Sequence, residues 1–241
     1  GPMIDPGLTG RVALITGAGS GVGRATALRL AREGVGVGLL GRRPQPLQET
    51  ATAVRRLGGQ AIVLPADAAD EVAVGTAVAQ LAGDLGGIDA LIYCAGVGLY
   101  GPVEHYSLTD WQQTFATNVT GLFLCARAVL PFLRRRGGGH IIAISSGAGR
   151  RGYANLAAYS ASKFAVIGFM ESLAEEVGPD GIKCSTILPG SILTDFGPRS
   201  RAEKRASGNK YLEPEDVADA IHYLLTQPDH AWAQQINLWP F

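Results

Sequence analysis

The sequence predicts an α/β, doubly wound fold: a central parallel sheet of about seven strands flanked by helices on both faces. Short, near-continuous apolar runs alternate with longer segments of helical periodicity from end to end. Strands that read apolar throughout are buried on both faces, as parallel strands are. Glycine and proline punctuate the junctions, where chain reversals need them. No internal repeat, low-complexity tract or linker interrupts the alternation, so residues 3–241 read as one domain.

The elements follow in order. R-V-A-L-I-T (11–16) reads as a buried strand and 21–33 as a helix that Gly34 ends. V-G-V-G-L-L (35–40) is the second strand, and 44–57 a helix with proline near its start and Gly58-Gly59 beyond its end. A-I-V-L (61–64) is the third strand, 70–85 the third helix, and I-D-A-L-I-Y (88–93) the fourth strand. A long helical stretch covers 108–135 and closes on Arg134, Arg135 and Arg136. Cations suit the negative end of a helix dipole, so this basic run reads as a helix terminus rather than a binding patch. H-I-I-A-I-S (140–145) is the fifth strand, 155–177 a helix stopped by Gly178-Pro179, and 182–188 the sixth strand. A helix over 214–226 and a short strand over 235–239 finish the chain. The one long irregular stretch is 191–213; a loop of that length in a compact domain is usually a functional lid.

Composition narrows the function. The 241 residues carry a formal net charge of zero, which excludes bulk attraction to nucleic acid or anionic membrane. No apolar run is expected to reach the roughly 20 residues that cross a bilayer. No signal-peptide pattern opens the chain, and Gly1-Pro2 reads as a protease-cleavage remnant of expression. Cys94, Cys125 and Cys184 lie far apart in apolar stretches, as buried free thiols of a reducing, cytoplasmic compartment do. His105, His140, His222 and His230 show no metal-ligand spacing, and no metal is expected.

Between the first strand and first helix stands T-G-A-G-S-G-V-G, Thr16 to Gly23. In a doubly wound fold this turn faces a ligand's phosphates, with helix N-terminal amides directed at them. The spacing of Gly17, Gly21 and Gly23 is not G-x-G-x-x-G, because Val22 takes the last required place, and a P-loop lysine is absent. Alone, such a loop is also a plain tight turn. An acid about 20 residues further on would bind a free ribose 2′-hydroxyl. Here L-L-G-R-R puts Gly41 in that place, followed by Arg42 and Arg43. Guanidinium groups bind a 2′-phosphate that a carboxylate would repel, so the pattern points to NADP(H).

The most informative stretch is Y-S-A-S-K, Tyr159 to Lys163, on an otherwise small and apolar helix. Residues four apart share a helix face, with Cβ atoms about 5–6 Å apart. With the glycine loop, Ala95-Gly96, Asn118 in T-N-V-T-G, Ser146 in I-S-S-G-A-G and P-G-S-I-L-T at 189–194, it resembles the short-chain dehydrogenase/reductase family over nearly the whole chain. The likeness is to compact members such as 3-oxoacyl-carrier-protein reductases and carbonyl reductases.

The resemblance implies a Rossmann-type sheet and hydride transfer between a nicotinamide and a carbonyl or secondary alcohol. It implies Tyr159 as acid/base, Ser146 polarising the carbonyl, Lys163 lowering the Tyr159 pKa and holding the ribose, and Asn118 in a proton relay. Cofactor contacts carried over are Gly17, Ser20, Gly21, Val22, Gly23, Asp67, Ala95, Gly96, Tyr159, Lys163, Pro189, Gly190, Ile192 and Thr194, beside Arg42 and Arg43. The chain departs from the family at Y-C-A-G, Tyr93 to Gly96, where N-N-A-G is common; altered packing is expected there rather than lost activity.

The loops after the fourth, fifth and sixth strands offer Val97, Leu99, Tyr100, Ala148, Tyr153, Ile192 and Phe196 as pocket walls. They suit a small hydrophobic or cyclic carbonyl. Arg199, Arg201, Lys204, Arg205 and Lys210 make the lid basic, which leaves open a 3-oxoacyl thioester on an acidic carrier. A catalytically silent NADP-binding regulatory protein is the reading of another class; the intact Asn118, Ser146, Tyr159 and Lys163 set speaks against it. The resemblance also implies a homodimer or homotetramer.

Overall fold

The computed structural model describes residues 7–241; Gly1 and Pro2, expected above to be a remnant of expression, lie outside them. Seven strands form one parallel sheet: β1 (Val12–Thr16), β2 (Gly36–Gly41), β3 (Ala61–Pro65), β4 (Ala90–Tyr93), β5 (Gly139–Ile144), β6 (Ile182–Pro189) and β7 (Gln235–Leu238). Their order across the sheet is β3-β2-β1-β4-β5-β6-β7. The helices are α1 (Gly21–Arg32), α2 (Pro44–Arg56), α3 (Glu71–Leu85), α4 (Leu108–Phe115), α5 (Gly121–Arg135), α6 (Ala157–Val177), α7 (Arg201–Ala206) and α8 (Pro214–Leu225).

Each sheet face owns a core. Leu14, Leu91 and Ile141 face Val78 and Leu81 of α3, Leu122 and Val129 of α5, and Val166 and Met170 of α6. Ile15, Leu39, Ile92 and Ile187 face Leu30 of α1, Leu47 and Val54 of α2, and Val217 and Ile221 of α8. Fully buried strand residues such as Leu14 and Ile92 each contribute roughly 1.5–3 kcal/mol of apolar burial. The doubly wound fold predicted from the sequence is the fold observed. Crossovers wind to opposite faces on either side of the β1–β4 boundary. At such a switch point the loops after the two strands diverge and leave a crevice at their carboxyl ends.

Three expectations need correction. The helix expected over 108–135 is two α-helices joined through a π-turn at Ala116–Thr120. Because the turn keeps them continuous, Leu108–Arg135 is, contrary to expectation, long and apolar enough by length and composition to cross a membrane. Its buried side packs on α3, β4 and β5, and a core helix passes the same test. The stretch 191–213 is not irregular throughout. An Ile192–Leu212 bridge closes its base, and α7 forms inside it on a Ser200–Glu203 capping box, a signal present in S-R-A-E.

Candidate active site

The crevice is built first from backbone. The Thr16 hydroxyl, at the end of β1, accepts from the Cys94 and Ala95 amides at 3.0 and 3.2 Å. This ties the two strands at the switch point without help from a side chain at 94. The Cys94 thiol, pushed up to about 12 by burial, stays protonated. Gly17 turns the chain with φ of +63°, and a Cβ on Gly23 would sit 2.1 Å from the Gly17 carbonyl oxygen. Only glycine lets α1 start so close to the strand. Ser20 precedes α1 in extended conformation, its hydroxyl caps nothing, and no acid stands in the first turn. The positive end of α1 beside Val22 is therefore uncapped. A Cβ on Gly21 would lie 3.5 Å from the Thr194 methyl, so the loop after β6 reaches over the glycine loop.

Gly41 ends β2, with Arg42 and Arg43 following it exposed to solvent. Neither guanidinium makes a hydrogen bond or ion pair among the described residues. Asp67 is exposed beyond β3 and accepts from the Ala69 amide at 2.9 Å, while capping of α3 falls to Asp70, through the Ala73 amide at 3.0 Å.

On the other side, α6 carries Tyr159 and Lys163, 7% and 4% exposed, with Lys163 Nζ 5.6 Å from the Tyr159 ring centroid. Lys163 Nζ donates to the Ile144 carbonyl at 3.1 Å. Ser146 follows β5; its Oγ accepts from the Ala148 amide at 3.1 Å, and its hydroxyl is near enough to the Tyr159 phenol to lower its pKa. Asn118 lies in the π-turn, 1% exposed. Its Oδ1 accepts from the Val97 amide at 2.9 Å, and its Nδ2 donates to the Val97 carbonyl and to Ser162 Oγ, each at 3.1 Å. A Cβ placed on Gly96 would be 3.5 Å from Asn118 Oδ1, 3.6 Å from the Phe196 ring and 3.7 Å from Lys163 Nζ. Residues from β4, the π-turn, α6 and the lid thus converge on one bare stretch of backbone. Pro189 ends β6, and the Gly190 amide donates to the Leu238 carbonyl at 2.8 Å. Ile192 begins the lid at its bridge to Leu212.

Burial sets the electrostatics. It pushes the Tyr159 phenol well up, the neighbouring Tyr100 adds to the rise, and the Ser146 hydrogen bond opposes it. It draws the Lys163 ammonium down to about 8. The expectation that Lys163 lowers the Tyr159 pKa is not met here: desolvation dominates both groups, and the one opposing influence on the phenol comes from Ser146.

The walls are aromatic. The Tyr100 and Phe196 rings lie 5.5 and 5.9 Å from the Tyr159 ring. Val97 and Leu99 are half-buried and Ala148 buried behind them. Tyr153 is exposed, with Arg151 over its ring at 5.3 Å, so it does not line the inner wall. Two of the lid's cations are engaged within it. Arg201 Nη1 donates to the Leu193 carbonyl at 2.9 Å and Nη2 pairs with Glu213 at 3.2 Å; Lys204 Nζ donates to the Phe196 carbonyl at 2.8 Å. A separate cavity of about 570 Å³ opens at the opposite end of the sheet, beside Arg11, Asp89, Arg136 and Lys183, away from every residue named above as catalytic. Sequence reasoning passed over Thr16 and Ser162; a hydroxyl at a strand end and another inside Y-S-A-S-K were the available signals.

Comparison with known proteins gives a consistent picture. The family model of the short chain dehydrogenases matches residues 11–205. The chain is 36% identical over 233 residues to an uncharacterised oxidoreductase of Staphylococcus haemolyticus, covering 97% of this chain and 98% of that one. It is 36% identical over 245 residues to glycine betaine reductase ATRR of Emericella nidulans, spanning 99% of this chain but 19% of that much longer protein. Among solved structures, a 3-ketoacyl-ACP reductase from Sinorhizobium meliloti superimposes with a TM-score of 0.86 at 35% identity, over 95% of this chain and 97% of the other. A short chain dehydrogenase from Burkholderia cenocepacia in complex with NADP gives 0.87 at 32%, over 96% and 97%. An NAD+-bound xylitol dehydrogenase gives 0.85 at 30%, over 96% and 98%.

Proposed function

Because the chain belongs to the short-chain dehydrogenase family, we propose that it is an NADP(H)-dependent oxidoreductase acting on a carbonyl or secondary alcohol. The observation that carries this reading is that Asn118 and Lys163 converge on the bare backbone at Gly96, with the Tyr159 ring beside Lys163 and Ser146 acting on the Tyr159 phenol.

The residues present fit the cofactor. Gly17, Ser20, Gly21, Val22 and Gly23 offer a close, uncapped helix end to its phosphates. The unengaged Arg42 and Arg43 suit a 2′-phosphate, and Gly41 leaves no carboxylate to repel it. Asp67 would meet the adenine, and Ala95 and Gly96 would let the chain pass the cofactor. Tyr159 and Lys163 would hold the ribose, and Pro189, Gly190, Ile192 and Thr194 the nicotinamide end. When bound, NADP(H) supplies or accepts the hydride. The chain's own residues handle the oxygen. In reduction Tyr159 donates its phenolic proton to the substrate oxygen, which the Ser146 hydroxyl orients and polarises. In oxidation the same phenol, once ionised, takes the proton back. Asn118 and Lys163 connect the phenol to solvent for its proton. Lys163, drawn down to about 8, stays largely an ammonium near neutral pH, and its charge together with that of a bound oxidised nicotinamide would favour the phenolate.

Tyr100 and Phe196 favour a compact hydrophobic or cyclic carbonyl. Engagement of Arg201 and Lys204 within the lid weighs against an acidic carrier as docking partner. Exposed Phe123 and Phe164 on α5 and α6 support a homodimer or homotetramer.

The test is initial-rate oxidation of NADPH and NADH in parallel across ketones, aldehydes, quinones and 3-oxoacyl thioesters. NADPH-linked turnover of cyclic or aryl ketones is expected. Turnover with NADH alone would remove the argument from Arg42 and Arg43; tight NADPH binding with no turnover of any class would favour the silent regulatory reading.

A further inference from the structure

We propose that Tyr93 and Gly121 form a positioning pair that holds the π-turn presenting Asn118; its kinetic consequence rests on the proton-handling role given to Asn118 above. Tyr93 belongs to Y-C-A-G, where the sequence departs from the family pattern. It ends β4 and is 2% exposed. A phenol buried so deeply needs a hydrogen-bond partner. It has one: Tyr93 Oη donates to the Thr117 carbonyl at 2.5 Å.

That carbonyl is available for a definite reason. In an α-helix it would accept from the amide of Gly121, four residues on. Here the Gly121 amide donates to Ala116, five residues back, which is the π-turn itself. The turn leaves the Thr117 carbonyl without its helical partner, and the phenol replaces that partner. Gly121 makes the room. A Cβ there would lie 2.1 Å from Tyr93 Oη and 3.1 Å from the Ala68 methyl, so any side chain at 121 displaces the phenol.

The next residue after Thr117 is Asn118, whose side chain spans from Val97 to Ser162. The Ser162 hydroxyl in turn donates to the Tyr159 carbonyl at 2.7 Å. A hydrogen-bonded path therefore runs from the end of β4 through the π-turn to the helix bearing the acid/base. Among the described residues Tyr93 makes no hydrogen bond to Ser146 and no ring contact with Tyr159; it acts through the turn.

The experiment compares the full chain with Tyr93→Phe, Gly121→Ala, the double variant and Tyr159→Phe. Tyr93→Phe keeps the ring and removes one hydrogen bond. In NADPH-linked reduction its kcat is expected to fall about tenfold with KM for both substrates held. The solvent deuterium isotope effect on kcat should rise, because proton replenishment slows. A mere loss of folded enzyme would lower kcat and leave that isotope effect alone. Independently of turnover, Gly121→Ala should lower Tm sharply in the native background and far less in the Tyr93→Phe background. If Gly121→Ala alone yields no soluble protein, recovery in the double variant reads the same coupling. Additive Tm losses overturn the pairing; an unchanged kcat and isotope effect in Tyr93→Phe overturn the positioning role. Full activity of Tyr159→Phe would instead sink the acid/base reading, and the thermal cycle would still decide the pair.

Discussion

Tyr159 and Lys163 work against their own burial. Both sit on α6 where water is excluded, and desolvation opposes the charged form of each. Removing the phenol's oxygen leaves the aromatic wall intact, so Tyr159→Phe should bind NADPH with nearly unchanged Kd and lose turnover by about 10²–10⁴-fold. Near-normal turnover would remove Tyr159 from the chemistry. The lysine gives a pH signature. Its folded value of about 8 lies below the ordinary 10.5. Below the folded value both states are protonated, and the fold carries the cost of a buried ammonium. Between the two values the unfolded chain binds the extra proton, so stability from this group rises with pH. Cofactor-free Lys163→Met should therefore be more heat-stable than the native chain at about pH 7, with the gap narrowing toward about pH 9.5; a gap that stays constant contradicts this. At the other end of the crevice, Arg42→Asp should weaken NADPH far more than NADH in fluorescence titration. Equal weakening would show that Arg42 does not meet the 2′-phosphate.

At the scale of elements, the lid is strapped by contacts a single residue controls. Arg201 donates from its amide to Asp195 at 2.7 Å, from Nη1 to Leu193 and from Nη2 to Glu213. No residue of α7 is buried. Arg201→Ala should thus leave Tm nearly unchanged, because surface pairs add little stability, while raising KM several-fold by releasing the Leu193 carbonyl next to Thr194. A large fall in Tm with KM held would place Arg201 in the fold rather than the lid. How legible these elements were follows from what each depends on. Strand and helix cores repeat with periods that any window reveals, and their ends fell within a residue or two. The π-turn left no such trace: A-T-N-V-T continues a helical pattern, and only a phenol arriving from β4 shows why the register shifts. The α7 capping box was readable in S-R-A-E but lay inside a stretch rich in turn residues. At the site, Y-S-A-S-K placed Tyr159 and Lys163 together because four-residue spacing is local. The Phe196 and Tyr100 contacts with Tyr159 depend on loops that the sequence placed only roughly.

At the scale of the whole molecule, the two cores and the sheet between them hold the strand ends that carry the site. His140 binds this frame at its far end. The Ser185 hydroxyl donates to the Ala233 carbonyl at 2.7 Å, so His140 Nε2–H donates to Ser185 Oγ at 2.8 Å. Burial holds the imidazole neutral, drawn down to about 3 from 6.5. The unfolded chain takes up that proton first, so as pH falls from 6.5 toward 3 the native state loses stability from this residue. His140→Gln should lose less Tm across that window than the native chain; an identical acid profile would exclude the group.

By itself the sequence determined the doubly wound fold, the order of its elements and the residues offered as catalytic. Each is written in periodicity or in short motifs whose parts lie within a few residues of one another. The tertiary structure alone decided what crosses the sheet: Thr16 tying β1 to β4, the Tyr93 phenol filling the space above Gly121, and the aromatic rings closing on Tyr159. Those contacts join residues far apart along the chain, and their geometry comes into being only when both cores pack and the strands settle into register.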